Sequence, residues 1–247
     1  LSKEIGKSTN IAKVGVLVTG VSGMIGSYVA KELLRSGLYE VHGLIRFRSK
    51  LSNLAGLMPQ INFVYGDLLD SARMHIVLRE VKPRFVYHFA AQAINSVSYD
   101  SAELSLSVNV MGTLNLMEAI RVEMSEESRN VRVFLAGSST EYGQAADEVA
   151  GPIREDTPLK PVSPYGVSKV AMEMLGFQYN RSYGIPVVCG RFFIQVAAGG
   201  TAHIALQDFA RQIALFERGL QKPVLKHGNL ETARDMTDIA DSAKAVV

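Results

Sequence analysis

Short apolar runs alternate with longer amphipathic segments along most of the chain, which predicts strands separated by helices. The apolar runs occupy 14–18, 37–45, 61–70, 83–92, 131–139 and 185–193, and helical periods cover 101–122 and 164–183. Strands that are apolar along their whole length are buried on both faces, which is typical of a parallel sheet covered by helices. The predicted fold class is α/β, with a doubly wound parallel sheet.

The alternation weakens after Arg191, where small residues precede a further helical period at 204–218. We therefore predict a main domain at 1–193, part of a smaller substrate-binding lobe at 194–234, and a helix that returns to the main domain at 235–247. The sequence begins with Leu1 rather than Met, and the smaller lobe looks short at Val247. We expect this lobe to be incomplete.

The composition excludes several classes of function. The chain has 247 residues, a net charge of +2 and one cysteine, so it is long enough for a large core and offers neither a disulfide nor a thiolate metal cluster. Cys189 lies in an apolar run and is predicted to be an inert buried thiol. The basic residues are scattered, which argues against nucleic acid as a partner. We expect no bound metal.

The same sequence contains no signal for a membrane. No apolar run approaches the roughly 20 residues that span a bilayer. The first ten residues, LSKEIGKSTN, lack the apolar core of a signal peptide. We therefore expect a cytoplasmic protein without a membrane partner.

A glycine-rich turn joins the first predicted strand to the first helix. Its glycines, Gly20, Gly23 and Gly26, have the spacing G-x-x-G-x-x-G. Such glycines allow a tight turn and close packing of helix against strand, and amides at a helix start suit a phosphate. We predict that this turn binds the pyrophosphate of a dinucleotide through six residues: Gly20, Ser22, Gly23, Met24, Ile25 and Gly26.

The end of the second strand indicates which dinucleotide is bound. A fold that binds NAD usually has an acidic residue about 20 residues after the glycines, where it contacts the ribose. This chain instead has Arg46, Arg48 and Lys50, without a carboxylate. Because guanidinium groups pair with phosphate, we predict NADP as the cofactor, with Arg46 and then Arg48 as ligands of its 2′-phosphate. The alternative is a solvated basic loop.

A second group of residues suggests acid–base chemistry. Tyr165 and Lys169 are four residues apart in a predicted helix, so both side chains lie on one face. A lysine ammonium beside a phenol favours the phenolate, and we expect Lys169 to lower the pKa of Tyr165. Ser138 ends the fifth strand, where its hydroxyl is placed to bond a substrate carbonyl.

Six segments occur together and in order: VTGVSGMIGS, GDLLD, HFAAQ, NVMGTLNLMEA, SSTEYGQ and SPYGVSK. In this combination the chain resembles the extended short-chain dehydrogenase/reductases that act on nucleotide sugars, which have a Rossmann-like fold. The later segments DFARQIALFERG and GNLETARDMTDIAD are similar to those of the GDP-mannose 4,6-dehydratases and the GDP-4-keto-6-deoxymannose reductases. The nucleotide-sugar substrate is thus an expectation from resemblance.

The resemblance also implies roles for individual residues. It makes Ser138, Tyr165 and Lys169 catalytic, with Asn109 as a supporting helix position. It places Arg234 near the nucleotide diphosphate, where the alternative is a surface ion pair with Asp235. The implied cofactor contacts are Asp67, Leu68, Ala90, Ala91 and Gln92, together with Tyr165 and Lys169. It further implies a homodimer formed through the helices that contain Asn109 and Tyr165.

One position favours a reductase over a dehydratase. The dehydratases of this family resemble S-T-[DS]-E-x-Y-G, and Thr140 occupies the position of their catalytic glutamate. A threonine is not a general base for a carbon acid at neutral pH. We therefore predict an NADP-dependent reductase of a nucleotide-linked 4-keto sugar, similar to the GDP-4-keto-6-deoxymannose reductases, with Ser139 and Thr140 near the substrate.

Two alternatives remain open. The first is a GDP-mannose 4,6-dehydratase or a nucleotide-sugar epimerase, in which Glu141 acts as a displaced base. The second is an NADP-binding protein without turnover. It is suggested by Ile194. The families resembled have the motif R-x-F-N-H after the sixth strand, and Ile194 occupies the position of its asparagine. Isoleucine lacks the hydrogen bonds of that amide.

Overall fold

A computed structural model describes residues 12–124 and 130–247. The predicted polar start at 1–10 lies outside these residues. The strands are β1 (Val14–Thr19), β2 (Tyr39–Ile45), β3 (Ile61–Tyr65), β4 (Phe85–His88), β5 (Arg132–Ser138), β6 (Val187–Phe192), β7 (Ile194–Val196) and β8 (Met236–Asp238). The helices are α1 (Met24–Ser36), α2 (Ser71–Val81), α3 (Asn95–Asp100), α4 (Ala102–Leu106), α5 (Gly112–Glu123), α6 (Ala145–Glu148), α7 (Pro164–Tyr183), α8 (Ala205–Glu217) and α9 (Ile239–Val246).

Six of the strands form one parallel sheet. Their order is β3-β2-β1-β4-β5-β6, and β7 and β8 form a separate parallel pair. The strand order reverses between β1 and β4, and in such sheets ligands bind beyond the carboxyl ends of the strands at this point. The predicted fold class, a Rossmann-like doubly wound sheet, is confirmed.

Both faces of the sheet are covered, as the apolar strands predict. In β1, Val16 and Val18 point to one face and pack with α1 and α9, while Leu17 points to the other. The second face is covered by α2, α5 and α7. Burying a side chain of this size contributes roughly 1.5–3 kcal/mol to the free energy of folding, so the two clusters stabilise the sheet from both faces.

The ends of α7 follow from its sequence. Pro164 is its first residue, and the Ser163 hydroxyl before it accepts a hydrogen bond from the Gly166 amide at 3.1 Å. Gly184 ends the helix with φ +72°. The predicted helix at 164–183 is confirmed, and it presents Tyr165 and Lys169 to the end of β5.

Several predicted boundaries differ from the structure, among them that of β3, which ends at Tyr65 rather than at 70, and those of β4, which spans Phe85–His88 rather than 83–92. The segment 235–247 begins with β8 and only then becomes helical, because β8 pairs with β7. The sixth strand is shorter than 185–193, and the predicted helix at 101–122 contains a π-helical segment at Ser107–Met111. In the described ranges, no helix is both long and apolar enough to cross a membrane.

Candidate active site

The glycine turn packs too closely for other residues. Gly20 has φ +69°, and a Cβ there would lie 2.6 Å from the Ala90 amide nitrogen at the end of β4. A Cβ on Gly26 would overlap the carbonyl oxygen of Gly20. Both glycines are therefore required by the contact of β1 with α1 and β4.

The start of α1 is suited to an anion. Gly23 is the N-cap of α1 and, among the described residues, no side chain caps it and no acidic residue lies in the first turn. The amides of Met24 and Ile25 stand at the positive end of the helix dipole. The Ser22 carbonyl accepts a hydrogen bond from Asn53 at 3.1 Å, which anchors the turn. These residues fit the pyrophosphate of a dinucleotide.

The predicted 2′-phosphate ligands, Arg46 and Arg48, lie just after the carboxyl end of β2, and Asp67 follows β3. The Arg46 guanidinium is 3.9 Å from the Asp67 carboxylate, and both side chains are largely exposed. Arg48 is also exposed, whereas Leu68 is buried. An exposed guanidinium with one distant partner can turn towards a phosphate with little loss of ion pairing.

The residues after β4 connect the cofactor side to α7. The Gln92 amide donates to Asn109 Oδ1 at 2.7 Å, and Asn109 Nδ2 donates to the Ser168 hydroxyl at 2.8 Å. Asn109 is buried within the π-helical segment, a feature that is frequent at functional sites. Ala90 and Ala91 lie just before Gln92, and Asn109 thus fixes this loop relative to Tyr165.

A buried histidine extends this connection to β1. His88 Nδ1 is 2.7 Å from the Thr19 hydroxyl, and Nε2 is 3.0 Å from the Thr113 hydroxyl. Thr113 donates to the Asn109 carbonyl, so it accepts from His88 Nε2–H, and Nδ1 accepts from Thr19. Burial lowers the pKa of His88 to about 3, and the imidazole is neutral. It is a fully bonded core residue.

The structure brings the three predicted catalytic side chains together. Ser138 ends β5 beside Tyr165, and its hydroxyl accepts from the Thr140 hydroxyl at 2.9 Å. Lys169 is buried; its Nζ donates to the Ala136 carbonyl at 2.6 Å and is 5.7 Å from the Tyr165 ring centre. This arrangement surrounds the end of β5 with two hydroxyl groups and an amine.

The expected effect of Lys169 on Tyr165 is wrong for this structure. Burial raises the pKa of Tyr165 to about 12 and lowers the pKa of Lys169 to about 8. Lys169 lies over the phenol ring and bonds a backbone carbonyl rather than the Tyr165 hydroxyl, so desolvation dominates. Tyr165 is consequently protonated at neutral pH.

The predicted substrate residues are divided between two places. Ser139 and Thr140 line a cavity of about 360 Å³ beside Ser138, and Asn95 and Asp147 line it as well. Arg234 lies apart from this cavity in an exposed segment before β8, where it donates to the Ala233 carbonyl at 2.7 Å. The structure therefore brings Ser139 and Thr140 beside the three predicted catalytic side chains but leaves Arg234 away from them.

The sequence matches a family model described as GDP-mannose 4,6 dehydratase over residues 17–247. The chain belongs to the GDP-mannose 4,6-dehydratase family. Its structural neighbours are epimerases and dehydratases of the extended short-chain dehydrogenase/reductase type, which confirms the resemblance found in the sequence.

Curated relatives carry the family name. The GDP-mannose 4,6-dehydratase of Vibrio cholerae is 35% identical over 232 residues, which cover 90% of this chain and 60% of that protein. The GDP-mannose 4,6 dehydratase of Homo sapiens is 31% identical, with 98% of this chain and 65% of that protein covered. The chain thus spans about three-fifths of the length of these relatives.

Solved structures of the same type superpose closely. UDP-glucose 4-epimerase of Thermus thermophilus, in complex with NAD, is 32% identical with a TM-score of 0.78, covering 94% of this chain and 72% of that one. RMD of Pseudomonas aeruginosa, complexed with NADPH, is 26% identical with a TM-score of 0.75, covering 94% and 71%.

Two charged residues beside the predicted catalytic side chains were missed from the sequence. Arg191 donates to both oxygens of Glu173, at 2.9 and 2.6 Å, directly behind the end of β5. A signal was present, because Tyr165, Lys169 and Glu173 recur every four residues on one face of α7. The long-range partner Arg191 carried no such signal, since β6 reads as an apolar strand.

Proposed function

We propose that the protein is an NADP-dependent reductase of a nucleotide-linked 4-keto sugar, of the GDP-4-keto-6-deoxymannose type. The observation that carries the proposal is the side chain next to Ser138. It is the hydroxyl of Thr140, whereas the carboxylate of Glu141 is fully buried and bonds the Ser138 amide at 2.6 Å. A dehydratase needs a carboxylate that reaches the sugar, and a reductase does not.

The chain supplies the groups that such a reduction needs. Ser138 and Tyr165 are placed to bond the C4 carbonyl oxygen. Bound NADPH would supply the hydride. Tyr165, protonated because its pKa is about 12, then gives its proton to the oxygen, which as an alkoxide is more basic than a phenolate. Lys169 donates to the Ala136 carbonyl, which holds its ammonium over the ring of Tyr165.

The reaction is tested by mixing the protein with NADPH and GDP-4-keto-6-deoxymannose and following the loss of cofactor absorbance. We expect turnover that falls about 10³-fold in Tyr165→Phe, since proton transfer by a positioned acid contributes about 10²–10⁴-fold. NADPH affinity, measured by fluorescence, should stay within about twofold, because the phenol hydroxyl is only one of many cofactor contacts. Conversion of GDP-mannose to the keto sugar, without reduction of that sugar, would refute the proposal.

A second candidate is a GDP-mannose 4,6-dehydratase, which the names of the curated relatives favour. Its elimination step needs a base near Thr140, and Thr140→Glu restores one there. If Thr140→Glu gains dehydration of GDP-mannose that the natural chain lacks, the reductase proposal is supported. NADPH binding without turnover on a panel of nucleotide sugars would favour a non-catalytic protein instead.

We propose NADP as the cofactor because the exposed Arg46 guanidinium follows β2, with the Asp67 carboxylate 3.9 Å away. Arg46→Ala should weaken NADPH binding about tenfold or more and change NADH binding little, since the lost charge pair involves only the 2′-phosphate. Titration calorimetry with both cofactors measures the difference. Arg154→Ala, at an exposed arginine away from the turn, is the control. Equal losses for NADPH and NADH would contradict this assignment.

We also propose a homodimer, in agreement with the resemblance. Apolar side chains on α4, on the π-helical segment after it and on α7 are 45–61% exposed: Leu104, Met111, Val167, Met174 and Phe177. A patch of this kind is typical of a contact between subunits.

A further inference from the structure

We propose that Glu141 is a positioning residue, which holds the catalytic Ser138 in place through the Ser138 backbone amide, and that Arg191 and Glu173 keep Glu141 there. The role differs from that of a base, because Glu141 acts on another residue and not on the substrate. Its kinetic consequences rest on the proposed function, whereas its structural consequences do not.

Glu141 and Ser138 bond each other across one turn. Glu141 Oε1 accepts from the Ser138 amide at 2.6 Å, while the Ser138 hydroxyl accepts from the Thr140 amide at 3.3 Å. This reciprocal pair is a capping box around Ser139–Glu141, and it fixes the extended backbone of Ser138 at φ −152°. The direction of the Ser138 hydroxyl is thereby set from behind.

The strand leaves room for this carboxylate. A Cβ on Gly137 would lie 2.6 Å from Glu141 Oε1, so the missing side chain creates the space that the carboxylate fills. Glu141 has 0% exposure, and it does not line the cavity beside Ser139 and Thr140. A carboxylate in this position has no path to a sugar in that cavity.

Two further charges hold Glu141. Arg191 Nε lies 3.7 Å from Glu141 Oε2, and the Arg191 guanidinium also bonds Glu173 and the Tyr142 hydroxyl. Burial and the nearby Glu173 raise the pKa of Glu141 to about 7. Although burial opposes it, hydrogen bonding from Arg191 lowers the pKa of Glu173. The Arg191 guanidinium thus bonds Glu173 directly and lies near Glu141 Oε2, an oxygen that has no hydrogen-bond partner among the described residues.

The test compares Glu141→Gln with Glu141→Ala. The glutamine keeps an oxygen for the Ser138 amide and an N–H for Glu173, and it carries no charge. The alanine loses both and leaves the amide of Ser138 buried without a partner. Glu148→Gln and Glu148→Ala, at an exposed carboxylate paired with Lys160, are the matched controls.

Hydrogen exchange of the amide of Ser138 gives a readout that needs no turnover. We expect Glu141→Ala to speed this exchange about fivefold, because one hydrogen bond is worth about 1 kcal/mol, while Glu141→Gln stays close to the natural protein. In the reductase assay, Glu141→Ala should lower kcat about 10²-fold, as misplaced catalytic groups do, with the KM for NADPH within about twofold. Glu141→Gln should recover kcat to within about fivefold.

The outcomes separate the possibilities. If glutamine is as inactive as alanine while the exchange of Ser138 is normal, Glu141 acts as an acid or base, and the proposal fails. It also fails if alanine changes neither quantity. If Glu141→Ala does not fold, Arg191→Lys replaces it and should loosen the Ser138 amide in the same way. If the natural protein reduces no substrate, the proposed function fails, and the exchange experiment still decides the role of Glu141.

Discussion

His88 shows how a single buried residue makes stability depend on pH. Both of its ring nitrogens bond threonine hydroxyls, and burial lowers its pKa from 6.5 to about 3. Below pH 6.5 His88 is protonated in the unfolded chain, whereas in the folded protein it stays neutral until about pH 3. Its contribution to folding is therefore complete above pH 6.5 and is lost as the pH falls towards 3.

This predicts the behaviour of a variant. His88→Gln removes the ionisable group, so its free energy of unfolding should not show this loss at low pH. The difference in free energy of unfolding between the natural protein and the variant should therefore shrink by about 1.4 kcal/mol per pH unit below 6.5. Urea unfolding at several pH values between 7 and 5 measures the difference. Glu141, whose raised pKa gives the opposite trend, is present in both proteins and cancels. His203→Gln, at an exposed histidine, should show a constant difference, and a constant difference for His88 would contradict the prediction.

At the same scale, the placement of the proposed catalytic residues was predictable and their surroundings were not. Ser138, Tyr165 and Lys169 lie together because strand ends and helix faces follow from local patterns. The pKa of Tyr165 was predicted in the wrong direction, because it depends on burial by distant segments. The partnership of Glu141 with Arg191 is likewise long-range, and no local pattern reports it.

Among the elements, α1 depends on a glycine at position 26. Gly26→Ala places a methyl group against the Gly20 carbonyl. The overlap is with backbone atoms, so a side-chain rotation does not relieve it. We expect it to cost at least about 2 kcal/mol of stability, or to shift α1 and abolish NADPH binding. Thermal melts and NADPH fluorescence measure both effects. Gly151→Ala, where a Cβ meets open space, should change neither. A normal Gly26→Ala protein would show that the turn is more adaptable than its packing indicates.

The long elements were predicted well, and the short or irregular ones were missed. The helix at Pro164–Tyr183 has an N-cap serine, a first-turn proline and a terminal glycine, all visible in the sequence. β8 has three residues, too few for a period, and exists through its pairing with β7. The π-helical segment at Ser107–Met111 has the same apolar pattern as an ordinary helix, so the sequence does not distinguish the two. The segment becomes visible only in the structure, where Asn109 is buried within it.

At the scale of the whole molecule, the exposed apolar residues on α4, the π-helical segment and α7 predict the assembly. Phe177→Glu adds a charge to the most exposed of them, and we expect it to convert a dimer to a monomer because an unpaired charge in an apolar contact is costly. Sedimentation velocity measures the mass of each form. Leu220→Glu, at a leucine of 70% exposure after α8, should remain dimeric. A natural protein that sediments as a monomer would refute the dimer.

The sheet also joins segments that are far apart in the chain. α9 packs on α1, and Ala243 lies in the same buried cluster as Val29 and Leu33. During synthesis, α9 must emerge from the ribosome before it can cover the outer side of α1. Folding that waits for such distant contacts is slow. A nascent chain arrested before α9 would expose this apolar side, and chaperones that bind such surfaces would recognise it as unfinished.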